Sequence, residues 1–125
     1  MHMLDFINIH RIGMTEKGYV LETPVTQDIT QPDGILHGGL SAMLAEEAAS
    51  RGARENLDVS MSAPVGLDLV STHLLPVCVG DTIKTVATLL RQGGRTQVWK
   101  VEQFRKSDGA LFNVSQLTVY IKDRS

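Results

Sequence analysis

The chain has 125 residues, a formal net charge of −2 at pH 7 and 42% hydrophobic residues. That is the size and composition of one globular domain, residues 1–125, with one core. The near-neutral charge argues against nucleic acid or an anionic membrane as partner. Uncharged runs such as Leu69 to Gly80 are far shorter than the roughly 20 apolar residues of a membrane span. Met1-His2-Met3-Leu4-Asp5 has neither the basic segment nor the apolar stretch of a secretion signal. The single cysteine, Cys78, excludes an internal disulfide and fits a reducing compartment, so a cytoplasmic protein is expected. Its neighbours Pro76, Val77 and Val79 are apolar, and a buried, inert thiol is expected there.

In chain order, Ile7, Ile9 and Ile12 suggest a first strand over about Phe6 to Met14. A turn at Thr15-Glu16-Lys17-Gly18 leads to a second strand, Tyr19 to Thr23, ended by Pro24, and the two form a hairpin. Thr26 to Gly34 is polar and turn-forming. Leu40-Ser41-Ala42-Met43-Leu44-Ala45-Glu46-Glu47-Ala48-Ala49-Ser50 is rich in strong helix formers, and a helix is expected from about Gly38, either ending at Gly52 or continued by Arg54-Glu55 to Asn56. Ser60-Met61-Ser62-Ala63-Pro64 reads as an irregular, mobile segment that could wall a ligand site. Four strands follow, roughly Val65–Leu75, Thr82–Gln92, Arg95–Lys106 and Ala110–Lys122. They are joined by turn signals at Gly80-Asp81, Gly93-Gly94 and Ser107-Asp108-Gly109. Short joints imply antiparallel neighbours, hence a four-stranded meander. The class is α+β, one helix on one antiparallel sheet.

Small residues at helical spacing, Gly38, Ala42, Ala45 and Ala49, form a face that lets another backbone come close. Glu46 flanks that face. Glu47 lies on another side, where Arg51 four residues on offers an ordinary surface ion pair. The unpaired N–H groups at a helix start, opened here by Gly38 and Gly39, suit an anion or a developing oxyanion. The four histidines, His2, His10, His37 and His73, are scattered and have no metal-ligand spacing. There is neither a Gly-x-Gly-x-x-Gly nor a Gly-x-Ser-x-Gly motif.

The run Gln31-Pro-x-Gly-x-Leu-His37-Gly38-Gly39, followed by Glu46 nine residues after the histidine and Ser50 four further on, resembles the hotdog-fold acyl-CoA thioesterases. The resemblance continues through Gly66-Leu67-Asp68, His73 and Gln97-Val98-Trp99, from about Ile7 to Ile121. It points to the branch containing 4-hydroxybenzoyl-CoA thioesterase, the phenylacetate-pathway thioesterase and 1,4-dihydroxy-2-naphthoyl-CoA hydrolase. It implies a hotdog: one long central helix wrapped by an antiparallel sheet of about six strands. It also implies roles for matching residues. Glu46 would be nucleophile or general base, and the Gly38 N–H would polarise the thioester carbonyl. His37 and Gln31 would orient the thioester, and Ser50 would position water or the carboxylate. His73 would lie at the acyl end of the pocket. Arg95 and Thr96 match loosely a pair near the nucleotide, and Met61 lies in the candidate wall. Duller readings stand beside these: Gln31 completing a turn, His37 capping the helix, Ser50 as a small packing residue, His73 as a structural histidine, Arg95 at a solvated hairpin tip. Asp33 stands where several relatives carry an aromatic residue against the acyl group. It would recognise a hydroxyl or amine, or cap the helix approach, and it leaves the acyl group open.

The implied substrate is an acyl-CoA or acyl-carrier-protein thioester, with coenzyme A part of the substrate and no separate cofactor. Two rival functions remain: a hotdog hydratase or dehydratase, and a non-catalytic acyl-CoA-binding module. Exposed sheet edges and an incompletely covered helix suggest a homodimer or a dimer of dimers. Gly38 and Glu46 are eight residues apart, about 12 Å along a helix axis, too far for one glutamate side chain to serve a thioester bound at Gly38 of its own chain. Two helices antiparallel across a two-fold axis would bring the Glu46 of one chain to the Gly38 of the other, so composite interface sites are expected.

Overall fold

The computed structural model describes residues 2–124. A 3-10 turn, Met3–Phe6, precedes β1 (His10–Thr15) and β2 (Gly18–Pro24). A second 3-10 turn, Gln27–Ile29, leads to the helix α1 (Gly38–Glu55). Then come β3 (Ser62–His73), β4 (Thr82–Gln92), β5 (Thr96–Arg105) and β6 (Leu111–Asp123). The strands form one antiparallel sheet in the order β1-β2-β4-β5-β6-β3. Register shifts in β1, β3, β4 and between β5 and β6 mark bulges. Such bulges raise local twist and help the sheet curve around α1, which contacts all strands from β2 to β6. This is the hotdog arrangement. Among the described residues no helix is long and apolar enough to cross a membrane.

The helix buries Ser41, Leu44, Ala45, Ala48, Ala49, Gly52 and Ala53. The small face is therefore real, but it is centred on Ala45 and Ala49 and carried on by Ala48 and Gly52 rather than Ala42. Its C-terminal half meets Tyr19, Leu21, Trp99, Val101, Leu117 and Val119. Its N-terminal half, through Leu44, joins Ile29, Leu36, Val77, Ile83 and Phe112. The core packs closely on Gly52, where a β-carbon would stand 2.9 Å from the Trp99 ring and 3.2 Å from Tyr19 Cβ. Overpacking of this kind costs about 1–3 kcal/mol. Gly52→Ala is expected to lose that much in chemical denaturation. Unchanged stability would mean that Trp99 yields freely.

Several expectations are corrected. The four later strands are not one meander. β4, β5 and β6 follow one another, but β3 pairs with β6 and β4 pairs with β2. The reason is the connector after β3. Its Cys78 bridges Ile35, the Val77 carbonyl accepts from Leu36 N–H at 2.7 Å, and the Asp81 carbonyl accepts from Val25 N–H at 2.8 Å. The chain is thereby carried across to the far side of the sheet, and Gly80-Asp81 is a turn without being a hairpin. The expected first strand splits into the Met3–Phe6 turn and a later β1. Of the two ends open to α1 the longer one is found, the helix running three residues past Gly52 to Glu55. Ser62, Ala63 and Pro64 are not irregular but open β3, paired with Asp123, Lys122 and Ile121. Cys78 is exposed, not buried.

Candidate functional site

The approach to α1 is a chain of local turns. Gly34 N–H donates to the Gln31 carbonyl at 2.9 Å and Gln31 N–H to the Ile35 carbonyl at 2.8 Å. Gly34 has φ +82°, the left-handed region where a side chain is disfavoured. Asp33 Oδ1 accepts from Ile35 N–H at 3.2 Å, an Asx-type turn; of the two roles weighed for Asp33, this is shaping the helix approach. His37 is the N-cap, with Nδ1 accepting from Gly39 N–H at 3.0 Å. The capping role is thus occupied, and only the Nε2 edge of that ring is left for other contacts. Gly38 is the first helical residue, so its N–H has no acceptor within the helix.

A cleft of about 320 Å³ opens at this helix start. Gln31, Gly38, Ser41 and His73 give it polar groups; Leu36, Leu74, Pro76, Val77 and Phe112 contribute apolar wall. Asp33 is not among its lining residues. His73 lies against Gly38 so closely that a β-carbon there would meet its Nε2 at 2.8 Å. Beneath His73 lies a polar cluster that the sequence did not suggest. His73 opposes Asn113 across the β3–β6 pair, and Ser71 opposes Ser115. Asn113 Nδ2 lies 2.9 Å from His73 Nδ1 and donates to Ser71 Oγ at 3.0 Å. Ser115 Oγ donates to Asn113 Oδ1 at 2.7 Å. Asn113 is 0% exposed and Ser115 2%.

Two turns along α1, Glu46 is exposed, with Ser50 half-buried one turn further on. The Glu46 carboxylate lies over Gly66, where a β-carbon would meet Oε2 at 3.1 Å. Glu47 does pair with Arg51, Oε1 accepting from Nε at 3.3 Å. Gly38 therefore abuts His73, whereas Glu46 abuts Gly66, seven residues earlier on β3. At about 3.3 Å per residue, those strand positions are on the order of 20 Å apart. Glu46 does not line the cleft at Gly38 of its own chain.

Arg95, Thr96 and Met61 sit at the same end of the sheet as Gly66. Thr96 opposes Tyr120, the neighbour of Val119 that opposes Gly66. Arg95 Nη1 reaches Asp123 Oδ2 at 3.4 Å. Hydrogen bonding to Tyr120, helped by Asp123, holds the guanidinium above its ordinary value. The Met61 carbonyl accepts from Arg124 N–H at 2.9 Å, and its side chain is exposed. One chain thus divides the candidate residues into two groups: Gln31, His37, Gly38 and His73 at one end, and Glu46, Ser50, Met61, Arg95 and Thr96 toward the other. Among the described residues, no group of three or more His, Cys, Asp or Glu could hold a metal ion.

Comparison with known proteins agrees with this architecture. A family model described as thioesterase superfamily matches residues 33–111. The chain is similar to 1,4-dihydroxy-2-naphthoyl-CoA hydrolase of Listeria monocytogenes, 30% identical over 124 residues, with 99% of this chain and 98% of the relative covered. Among solved structures it resembles thioesterase HI1161 from Haemophilus influenzae, with a TM-score of 0.88 and 31% identity over 96% of this chain and 82% of that one. It also resembles the thioesterase SAV0944 from Staphylococcus aureus, with a TM-score of 0.89 and 28% identity over 98% and 99% of the two chains. That protein was solved with a glutamate and, separately, a glutamine fifteen positions before it replaced by alanine.

Proposed function

The chain belongs to the thioesterase superfamily and is a thioester hydrolase, and we propose that it cleaves an acyl-CoA to the free acid and CoA at sites shared by two copies of the chain. The observation that carries this reading is the cleft gathering Gln31, Gly38 and His73 at a helix start whose first amide has no helical acceptor. A thioester carbonyl accepting from the Gly38 N–H becomes more electrophilic, and negative charge developing on its oxygen is stabilised by the helix start. Gln31 and the free edge of His37 orient the thioester. The apolar wall takes the acyl group. Glu46 either attacks the carbonyl carbon, giving a mixed anhydride that water opens, or takes a proton from the attacking water. Either route consumes one water, breaks the C–S bond and releases acid and thiol. Ser50, one turn from Glu46, positions that water. Met61, Arg95 and Thr96 lie toward the nucleotide. A glutamine and a glutamate fifteen positions apart, as Gln31 and Glu46 are, were also the residues altered in the similar Staphylococcus aureus thioesterase. The name of the Listeria relative supports CoA as the carrier.

The edge strand supports the shared site. β3 is paired on one side only, and its Val65, Leu67 and Val70 are 43%, 60% and 58% exposed. Such an edge invites a second strand. Gly66, Leu69, Ser71 and His73 oppose Val119, Leu117, Ser115 and Asn113, all buried, so these four face the helix; the bulge at Leu67 restores Gly66 to that face. Antiparallel neighbours must match faces. A two-fold axis at Val70 does so and sets His73 opposite the partner's Gly66-Leu67 bulge. The partner's Glu46, lying over that Gly66, then comes to the cleft at Gly38. Sedimentation should give a dimer or a dimer of dimers at micromolar concentration, and a stable 13.7 kDa monomer would contradict the shared site.

The activity is tested on benzoyl-, phenylacetyl-, naphthoyl- and medium-chain acyl-CoAs. Thiol release on at least one is expected. Hydration of an enoyl-CoA in its place would favour the hydratase reading, and binding without turnover a sensor.

A further inference from the structure

The polar cluster under His73 is not used by the reaction as described, and it has one chemically directed feature. Asn113 is wholly buried between two serines and a histidine, on the face of the sheet that supports the cleft. Its amide has one acceptor and two donors. Ser115 Oγ donates to the acceptor, Oδ1. One donor of Nδ2 goes to Ser71 Oγ, leaving the other aimed at His73 Nδ1, 2.9 Å away. Ser115 Oγ also lies 2.9 Å from Ser71 Oγ, which holds the two hydroxyls against the amide. An N–H facing Nδ1 requires a lone pair there, so the ring proton is on Nε2. Nε2 is the atom that comes up against Gly38.

We propose that Asn113, held by Ser71 and Ser115, is a positioning residue that fixes His73 as the Nε2–H tautomer, so that the cleft at Gly38 is faced by a second N–H donor and not by a lone pair. This rests on the hydrolase reading for its consequence. A thioester oxygen accepting from the Gly38 N–H also has the His73 N–H within its reach, and a pair of donors that need not reorganise is what a developing oxyanion requires. With the tautomer reversed, a lone pair would face that oxygen and repel it.

Ring tautomers are read directly by long-range ¹H–¹⁵N correlation spectra of the uniformly labelled protein at about pH 8, where free imidazole is neutral, with His73→Gln identifying the His73 signals. The expected wild-type pattern is protonated Nε2 and bare Nδ1 at His73. The reverse pattern, or an even mixture, would overturn the proposal. This measurement needs no substrate, so it stands or falls separately from the assignment of activity. In Asn113→Ala the tautomers should mix. With a cleaved acyl-CoA in hand, kcat should fall about 10- to 100-fold while KM stays within about threefold, since misplacing a catalytic contact costs on this order. Asn113→Asp, equal in shape but only an acceptor, should move the proton to Nδ1 and lower kcat further than the alanine variant. Folding of each variant is checked by circular dichroism. A folded Asn113→Ala protein with wild-type kcat, or with the wild-type tautomer, would refute the positioning role.

Discussion

Glu46→Gln is expected to lower turnover of any cleaved acyl-CoA by about 10³-fold or more, the scale on which removal of a catalytic carboxylate acts. The change keeps the side chain's length and removes only its charge. Glu46 is exposed in the single chain and has no ion-pair partner among the described residues, so the fold should be unaffected. Glu47→Gln is the matched comparison. It breaks a partly buried i,i+4 pair with Arg51, worth a few tenths of a kcal/mol, and should remain within about tenfold of wild type. Thiol release and thermal melts on both variants decide this. An inactive Glu47→Gln beside an active Glu46→Gln would reverse the assignment of the two glutamates.

Gly38→Ala should cost turnover about 10²-fold or more. Alanine suits a helix better than glycine, so propensity alone predicts a gain. The added methyl, however, meets His73 Nε2 at 2.8 Å, and that ring cannot swing away without breaking its contact with Asn113. The methyl also fills the space through which a carbonyl would reach the Gly38 N–H. Stability should change little while kcat collapses, because the clash is at the edge of a cleft rather than in the core. Gly39→Ala is milder by the same reasoning. Its nearest neighbour is the His37 ring at 3.2 Å, and that ring is exposed and can give. Equal activity in Gly38→Ala and wild type would remove Gly38 from the site.

Local pattern made much of this legible. The spans of β5 and β6, the Ala- and Leu-rich helix and the Glu47–Arg51 spacing are properties of neighbouring residues, and each is found close to where it was expected. The placement of β3 was not legible. Its partner is set by a connector that pairs with Ile35 and Leu36, which no periodicity within β3 reveals. The bulge at Leu67 matters similarly. Without it, Gly66 and His73, an odd number of residues apart, would face opposite sides of the sheet, and Glu46 would have no clearance over Gly66. The Asn113 cluster joins residues about 40 apart in the chain. Its only sequence trace is a pair of polar residues two apart on each strand, Ser71 with His73 and Asn113 with Ser115. Cys78 was misjudged because its apolar neighbours include exposed Val79, and the connector that holds it lies at the surface. The motif from Gln31 to Glu46 offered the candidate residues as one group, whereas a single chain separates them into two.

That separation is the central claim, and complementation tests it most directly. Glu46→Gln and Gly38→Ala chains, each inactive alone, are coexpressed with different tags, and the mixed oligomers are purified through both. If each site joins the Glu46 of one chain to the Gly38 of another, half of the sites in a mixed dimer are intact, and activity should return to about a quarter to a half of wild type. If Glu46 serves the Gly38 of its own chain, every site carries one lesion, and the mixed oligomers should be as inactive as either parent.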